Sequence, residues 1–249
     1  MSWSEKILTG DWAATIQAIG EAVVTAIFLV TFVVQAFTIP SPSMEQTLLV
    51  GDYVLVDKFC YGAGDGWSRI LPYRKIRRDD IVVFHYPVNP AQDFVKRVVA
   101  VPGDRIRMIN KEVFINGVLQ QERFVQFITK VRTPYRDDFP RTDSPDYDVD
   151  AKWWKQMPKL VEEHQLIVPE GNYFVLGDNR DDSKDSRYWG FVPRENIIGR
   201  PMVIYWSSSN PNDDLTGSPS MSDRLYHFTY AVTHIFQTTR WARTFRLVR

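Results

Sequence analysis

From Ala22 to Ile39 the chain carries no charged side chain and is dominated by Val, Ile, Phe, Leu and Ala. That length predicts one membrane-spanning helix, an anchor over residues 16–38 behind a short tail, 1–15. Lys6 is a weak positive n-region and Gln35-Ala36-Phe37 is no A-x-A site, so the run reads as an uncleaved anchor. Flanking charge does not orient it, because Lys6 is offset by Glu5 and Asp11. Past Ile39 the period changes from helical to two. Tyr53 to Asp57, Ile81 to Tyr86, Phe94 to Val101, Arg105 to Leu119, Phe124 to Val131, Tyr173 to Leu176 and Ile197 to Trp206 are rich in β-branched and aromatic residues and predict strands. Asn116-Gly117 between two apolar runs predicts a hairpin, and Val101-Pro102-Gly103-Asp104 a turn. Short strands in series predict a mainly β fold, an antiparallel folded-over or barrel-like sheet behind an N-terminal transmembrane helix.

Interruptions in the pattern suggest the organisation. The β core is expected over 39–120 and 166–210. An inserted excursion occupies 121–165. Within it Thr133–Asp150, with three prolines and many aspartates, reads as an exposed loop, and Lys152–His164 as a short helix. Ser207–Ser222 is polar and loop-like. The segment 211–249 is basic and aromatic towards its end, with a helical pattern in the first half of Arg224–Arg249, suited either to packing on the domain or to a membrane surface.

The 249 residues are 44% hydrophobic and 24% charged, enough for one sizeable core. Formal net charge is zero, and the basic cluster Arg74, Lys75, Arg77 and Arg78 is cancelled by Asp79 and Asp80, so no nucleic-acid partner is expected. One cysteine, Cys60, excludes an intrachain disulfide and a multi-thiolate metal site. The four histidines form no metal-binding pattern, and no metal or cofactor is expected.

Three stretches could carry chemistry. In Phe37–Asp52, prolines 40 and 42 push Ile39 and Ser41 to extended conformations, which suits a presented hydroxyl or a simple linker. In Asp93–Val101, Lys96 alternates with Phe94, Val98 and Ala100. A lysine desolvated by such neighbours loses its proton more readily and becomes a general base; an edge lysine snorkelling to water is the alternative. The loop Gly177–Arg187 holds four aspartates, two arginines and a lysine. A calcium loop is excluded, because its sixth position is Ser183 and its twelfth Trp189. Both catalytic carboxylates and an ion-pair network are open there. Ser43 lies in neither G-x-S-x-G nor S-x-x-K, which leaves a serine–lysine dyad as the route for a serine nucleophile.

Together, Pro40-Ser41-Pro42-Ser43-Met44, Lys96-Arg97-Val98, Pro102-Gly103-Asp104 and Gly177–Gly190 (G-D-N-R-D-D-S-K-D-S-R-Y-W-G) resemble, in order and after an apolar anchor, the boxes of bacterial type I signal peptidases. The resemblance covers Phe37–Trp206 apart from Gln121–Gln165. It implies a membrane-bound serine endopeptidase that cleaves signal peptides from exported preproteins after small residues. Ser43 is implied as nucleophile and Lys96 as general base, with Ser41 donating to the oxyanion and Ser183 orienting Lys96. Asp178, Asp185 and Arg187 are implied as support, with Arg180 beside them. Phe37, Ile39, Met44, Leu48 and Val95 are implied as pocket walls. It also implies a bacterial cytoplasmic-membrane location with the domain on the extracytoplasmic side, the lipid bilayer as a partner, and proximity to the export translocon. The chain departs from the common pattern in having one clear anchor and in Pro42, where Gly is frequent. A soluble self-cleaving Ser-Lys repressor is disfavoured by the apolar N-terminus, and an inactive scaffold by Ser43, Lys96 and Ser183 occurring together.

Overall fold

The computed structural model describes residues 12–28, 34–61, 74–209 and 235–248. They fall into two units, 1–35 and 36–249, with the site in the second. The first unit contains helix α1 (Trp12–Phe28). Among the described residues no helix is long and apolar enough to cross a membrane. Residues 29–33 of the expected anchor lie outside the described residues, and its end is not helical. Val34–Thr38 forms strand β1, at the edge of a sheet beside β2 (Asp52–Asp57). The apolar run conceals this change, because β-branched residues serve a lipid-facing helix and a strand equally well.

All pairings between the strands with defined register are antiparallel, as the alternating pattern predicts. The larger sheet contains β1, β2, β3 (Ile81–His85), β4 (Asp93–Ala100), β10 (Asn172–Leu176), β11 (Val192–Pro193), β12 (Ile197–Ser207) and β13 (Arg246–Leu247). Its order is β1-β2-β12-β3-β4-β10-β11, with β13 on β12. The smaller sheet runs β7-β6-β5-β9-β8, from β5 (Arg105–Ile109), β6 (Glu112–Ile115), β7 (Val118–Leu119), β8 (Val161–Glu162) and β9 (Gln165–Ile167). The predicted hairpin is present: Asn116 and Gly117 have φ of 52° and 79°, the left-handed pair a two-residue turn needs. Two further hairpins turn at Asn110-Lys111 and Glu163-His164, also at positive φ. Their residues carry no comparable glycine signal.

Three expectations in this part of the chain need correction. Phe124–Val131 is not a ladder strand; it makes one isolated parallel bridge, Gln126 to Asn179. The Thr133–Asp150 segment is not simply an exposed loop. Tyr135 and Phe139 are buried, and so are Trp153 and Met157 just beyond it. Phe139, Trp153 and Met157 join the core over β5 and β6, while Tyr135 belongs to the cluster that holds Phe84 and Val175 of the larger sheet. Most of its aspartates and prolines stay at least partly exposed and mask the aromatic anchors, although Asp137 is buried beside Arg136. Helix α3 (Ala151–Gln156), which follows the short α2 (Pro134–Asp137), is capped by Asp150, whose carboxylate accepts from the Lys152 and Trp153 N–H groups. The expected helix to His164 gives way to a 3-10 turn at Met157–Leu160 and then β8.

Residues 210–234 lie outside the described residues, with most of the expected 207–222 loop and C-terminal helix. The last described stretch packs on the domain. Arg243 donates to both oxygens of Asp52, which is fully buried and also accepts from Ser207 Oγ at 2.6 Å.

Candidate active site

The groove is built from two edges left open by the sheet. β4 pairs with β3 along Asp93–Arg97, whereas β10 meets it only at Arg97–Ala100. Asp93–Lys96 therefore extend past β10. Opposite them, β1 continues through Ile39-Pro40 into a 3-10 turn at Pro42–Met44. Ser41 precedes the turn in extended conformation, φ −129° and ψ 152°, as a residue before proline should. Pro42 occupies the first turn position, where its missing N–H costs nothing. Between these edges lies a cavity of about 330 Å³.

Phe37, Ile39, Met44 and Val95 line it, with Ser41, Ser43 and Lys96 among them and Asp93, Asp182 and Lys184 adding charge. Leu48, expected on the wall, is not among the lining residues. It is wholly buried in the core cluster that also contains Ile39 and Met44. Motif position does not distinguish a side chain lining a groove from one packed in the core.

Lys96 Nζ donates to Ser43 Oγ at 2.6 Å, and both residues are buried. Ser41 Oγ lies 3.2 Å from Ser43 Oγ, so the two hydroxyls share a proton position. Burial lowers the Lys96 pKa to about 8, against the opposing pull of Asp185 and Asp178. The amine is thus available as a base near neutral pH, while the nearby carboxylates stop it from falling further.

The Gly177–Arg187 loop braces this pair. Gly177 is required by close approach, since a Cβ there would collide with Ser183 Oγ and the Ser43 carbonyl oxygen. Asn179 N–H donates to the Ser43 carbonyl at 3.1 Å. Asp178 accepts two bonds from Arg97, at 2.8 and 2.7 Å, and one from Thr47 Oγ1 at 2.5 Å. Asp185 accepts two bonds from the Arg187 guanidinium, both at 2.8 Å, one from the Arg187 N–H at 3.3 Å and one from the Gly177 N–H at 3.2 Å. Burial pushes the Asp185 carboxyl up, but Arg187, the Ser183 hydroxyl and the Gly177 N–H outweigh it and hold the group below the ordinary carboxylate range. Arg187 also donates to the Arg136 and Arg180 carbonyls. Ser183 Oγ is buried without a hydrogen bond of full geometry among the described residues.

The residues expected from the motifs thus gather around one groove or brace it, apart from Leu48. Thr47, Asn179 and Phe124, whose ring lies 3.7 Å from the Arg97 guanidinium, escaped notice. Asn179 stood within the loop motif, but nothing in the sequence signals the main-chain role it takes here.

The chain matches the family model described as signal peptidase, peptidase S26, over residues 12–206. It belongs to that family. A signal peptidase I of Aquifex aeolicus (strain VF5) is 36% identical, with the match covering 76% of this chain and 82% of the relative. One from Buchnera aphidicola subsp. Acyrthosiphon pisum (strain APS) is 34% identical, covering 77% and 75%. One from Pseudomonas aeruginosa is 34% identical, covering 73% and 68%. Family membership accounts for a serine and a lysine meeting in a groove with no histidine: the chain is a serine peptidase of the signal peptidase family.

Proposed function

We propose that the chain removes signal peptides from exported preproteins, with Ser43 as nucleophile and Lys96 as general base. The observation that carries the reading is the 2.6 Å contact between Lys96 Nζ and Ser43 Oγ, buried beside an apolar groove. When Lys96 is neutral the contact reverses, and the Ser43 hydroxyl donates to the amine lone pair. An extended peptide adds as a strand between Phe37–Met44 and Asp93–Lys96, where main-chain groups of β4 extend past β10. Its arrival removes more water from Lys96 and favours the free base further.

Ser43 Oγ attacks the scissile carbonyl as its proton passes to Lys96. The developing oxyanion accepts from Ser41 Oγ, which lies beside Ser43 Oγ, and from the Ser43 N–H. Lys96 then returns the proton to the leaving amine, which departs as the new N-terminus of the mature chain. Lys96 next takes a proton from water, whose oxygen attacks the acyl-Ser43 carbonyl. Collapse breaks the bond to Ser43 Oγ, which takes that proton back from Lys96, and frees the signal peptide carboxylate. Ser183 lies against Gly177 and holds the Lys96 side of the loop in place. Phe37, Ile39, Met44 and Val95 leave shallow room, which suits small residues before the cleaved bond.

The apolar run ahead of β1, from Ala22 to Val33, supports a membrane anchor, with the domain on the extracytoplasmic side beside the bilayer and near the translocon. Protease added outside spheroplasts should digest the domain; full protection overturns this orientation. For the activity, purified full-length protein in detergent should cleave a preprotein ending its signal in A-x-A. It should not cleave one with Phe at the last signal position, and Ser43→Ala should be inactive. Equal cleavage by Ser43→Ala overturns the assignment.

A further inference from the structure

The segment Glu122–Thr129 crosses the Asp178–Asp181 stretch, and its contacts converge there. The Gln126 N–H donates to the Asp178 carbonyl at 2.8 Å, and the Gln126 carbonyl accepts from the Arg180 N–H at 3.0 Å. Both sides of Asn179 are thereby held, and Asn179 N–H is the donor to the Ser43 carbonyl. The Gln126 side chain also reaches the nucleophile turn, where Oε1 accepts from Gln46 Nε2 at 3.0 Å. Gln46 has φ +85°, a left-handed conformation that is strained for a non-glycine residue. At either end, Glu122 accepts from Arg180 at 2.5 Å and Thr129 N–H donates to Asp181 at 2.9 Å. In the middle, the Phe124 ring covers the Arg97 guanidinium of the Arg97–Asp178 pair.

The segment contributes little to the core. Phe127 and Ile128 are exposed, and none of its side chains lines the groove. Its bonds instead tie the loop that carries Asp178 and Asn179 to the turn that carries Ser43. We propose that Glu122–Thr129 is a strap that sets Ser43 against Lys96, with Phe124 and Gln126 as positioning residues. The inference rests on the Ser43–Lys96 activity and adds a region outside the motifs that define it.

The test measures kcat and KM separately on an A-x-A peptide for the full-length chain in detergent, alongside Ser43→Ala. Phe124→Ala and Gln126→Ala should each lower kcat about 10- to 100-fold, the scale of a displaced reacting pair, with KM within about twofold. Phe124→Tyr, which keeps a ring over Arg97, should recover kcat to within about threefold of wild type. Unchanged kcat in variants that remain folded by circular dichroism overturns the strap, as does a raised KM at unchanged kcat. Should Phe124→Ala not fold, Gln126→Ala and Glu122→Gln decide by the same criterion. A wild-type chain that does not cleave overturns the activity itself, and the strap's role with it.

Discussion

Lys96 and Arg97 are neighbours on β4, both buried, and their alternation sends them to opposite faces. On one face Lys96 meets the Ser43 hydroxyl and Phe94, with Asp178 and Asp185 near enough to act only through space. On the other, Arg97 donates twice to Asp178, once to Thr47 Oγ1 and once to the Asp79 carbonyl, under the Phe124 ring. The difference teaches what burial does to a cation. Supplied with a carboxylate, a hydroxyl and a carbonyl, the guanidinium becomes a strut. Given a hydroxyl and desolvation, the amine gives up its proton readily and becomes a reagent. Arginine could not replace Lys96, because it does not deprotonate at any working pH.

The largest expected effect separates the faces by activity. Lys96→Met should abolish cleavage, lowering kcat/KM by at least about 10³-fold, while the chain remains folded. A folded Lys96→Met that cleaves within tenfold of wild type removes the distinction between strut and reagent.

Stability should show the reverse order. Arg97→Met leaves the buried Asp178 carboxylate without its bidentate partner, and urea denaturation should show a loss of about 3–5 kcal/mol. Lys96→Met should stabilise instead. The folded pKa of about 8 lies below the ordinary 10.5, so the unfolded chain binds the proton more tightly. That penalty is fully present below pH 8 and fades as pH rises towards 10.5. At pH 7 the gain should approach about 3 kcal/mol, the value of the shift itself. A Lys96→Met chain that is less stable than wild type at pH 7 breaks the comparison.

The asymmetry was half legible in the sequence. Alternation placed Lys96 among Phe94, Val98 and Ala100, which suggests desolvation, and the motifs joined it to Ser43. The same alternation sets Arg97 among Val95, Val99 and Val101, but that both cations are buried, and what Arg97 pairs with, was not legible. Its carboxylate lies 81 positions away and the ring that covers it comes from a segment that reads as a plain strand. Local propensity likewise supplied the Asn116-Gly117 hairpin but not the turn at Asn110-Lys111, where the tertiary pairing of β5 with β6 outweighs a lysine's reluctance to adopt positive φ. Asp52 with Arg243 follows the same rule: a buried carboxylate and its arginine, 191 residues apart, leave no trace in either local sequence.

The pH dependence of cleavage tests the reagent side more finely. In the free enzyme kcat/KM should fall about tenfold per pH unit below about pH 8, as Lys96 gains its proton, and level off above. Asp185→Asn removes the carboxylate that chiefly raises Lys96, so the midpoint should move to lower pH if the variant folds. A midpoint that stays fixed would place the titrating group elsewhere.

The smallest expected effect concerns Ser183. Its Oγ is buried without a hydrogen bond of full geometry, and its hold on the ionised Asp185 is minor beside that of Arg187, so Ser183→Ala should change thermal stability little. The same hydroxyl helps keep Asp185 ionised and lies against Gly177, whose carbon approaches the Ser43 carbonyl. Its loss should therefore lower kcat by about tenfold with KM unchanged, an activity cost without a stability cost. A parallel drop in melting temperature and kcat would instead make Ser183 a strut like Arg97. On the reagent face stability and activity separate, and on the strut face they fall together.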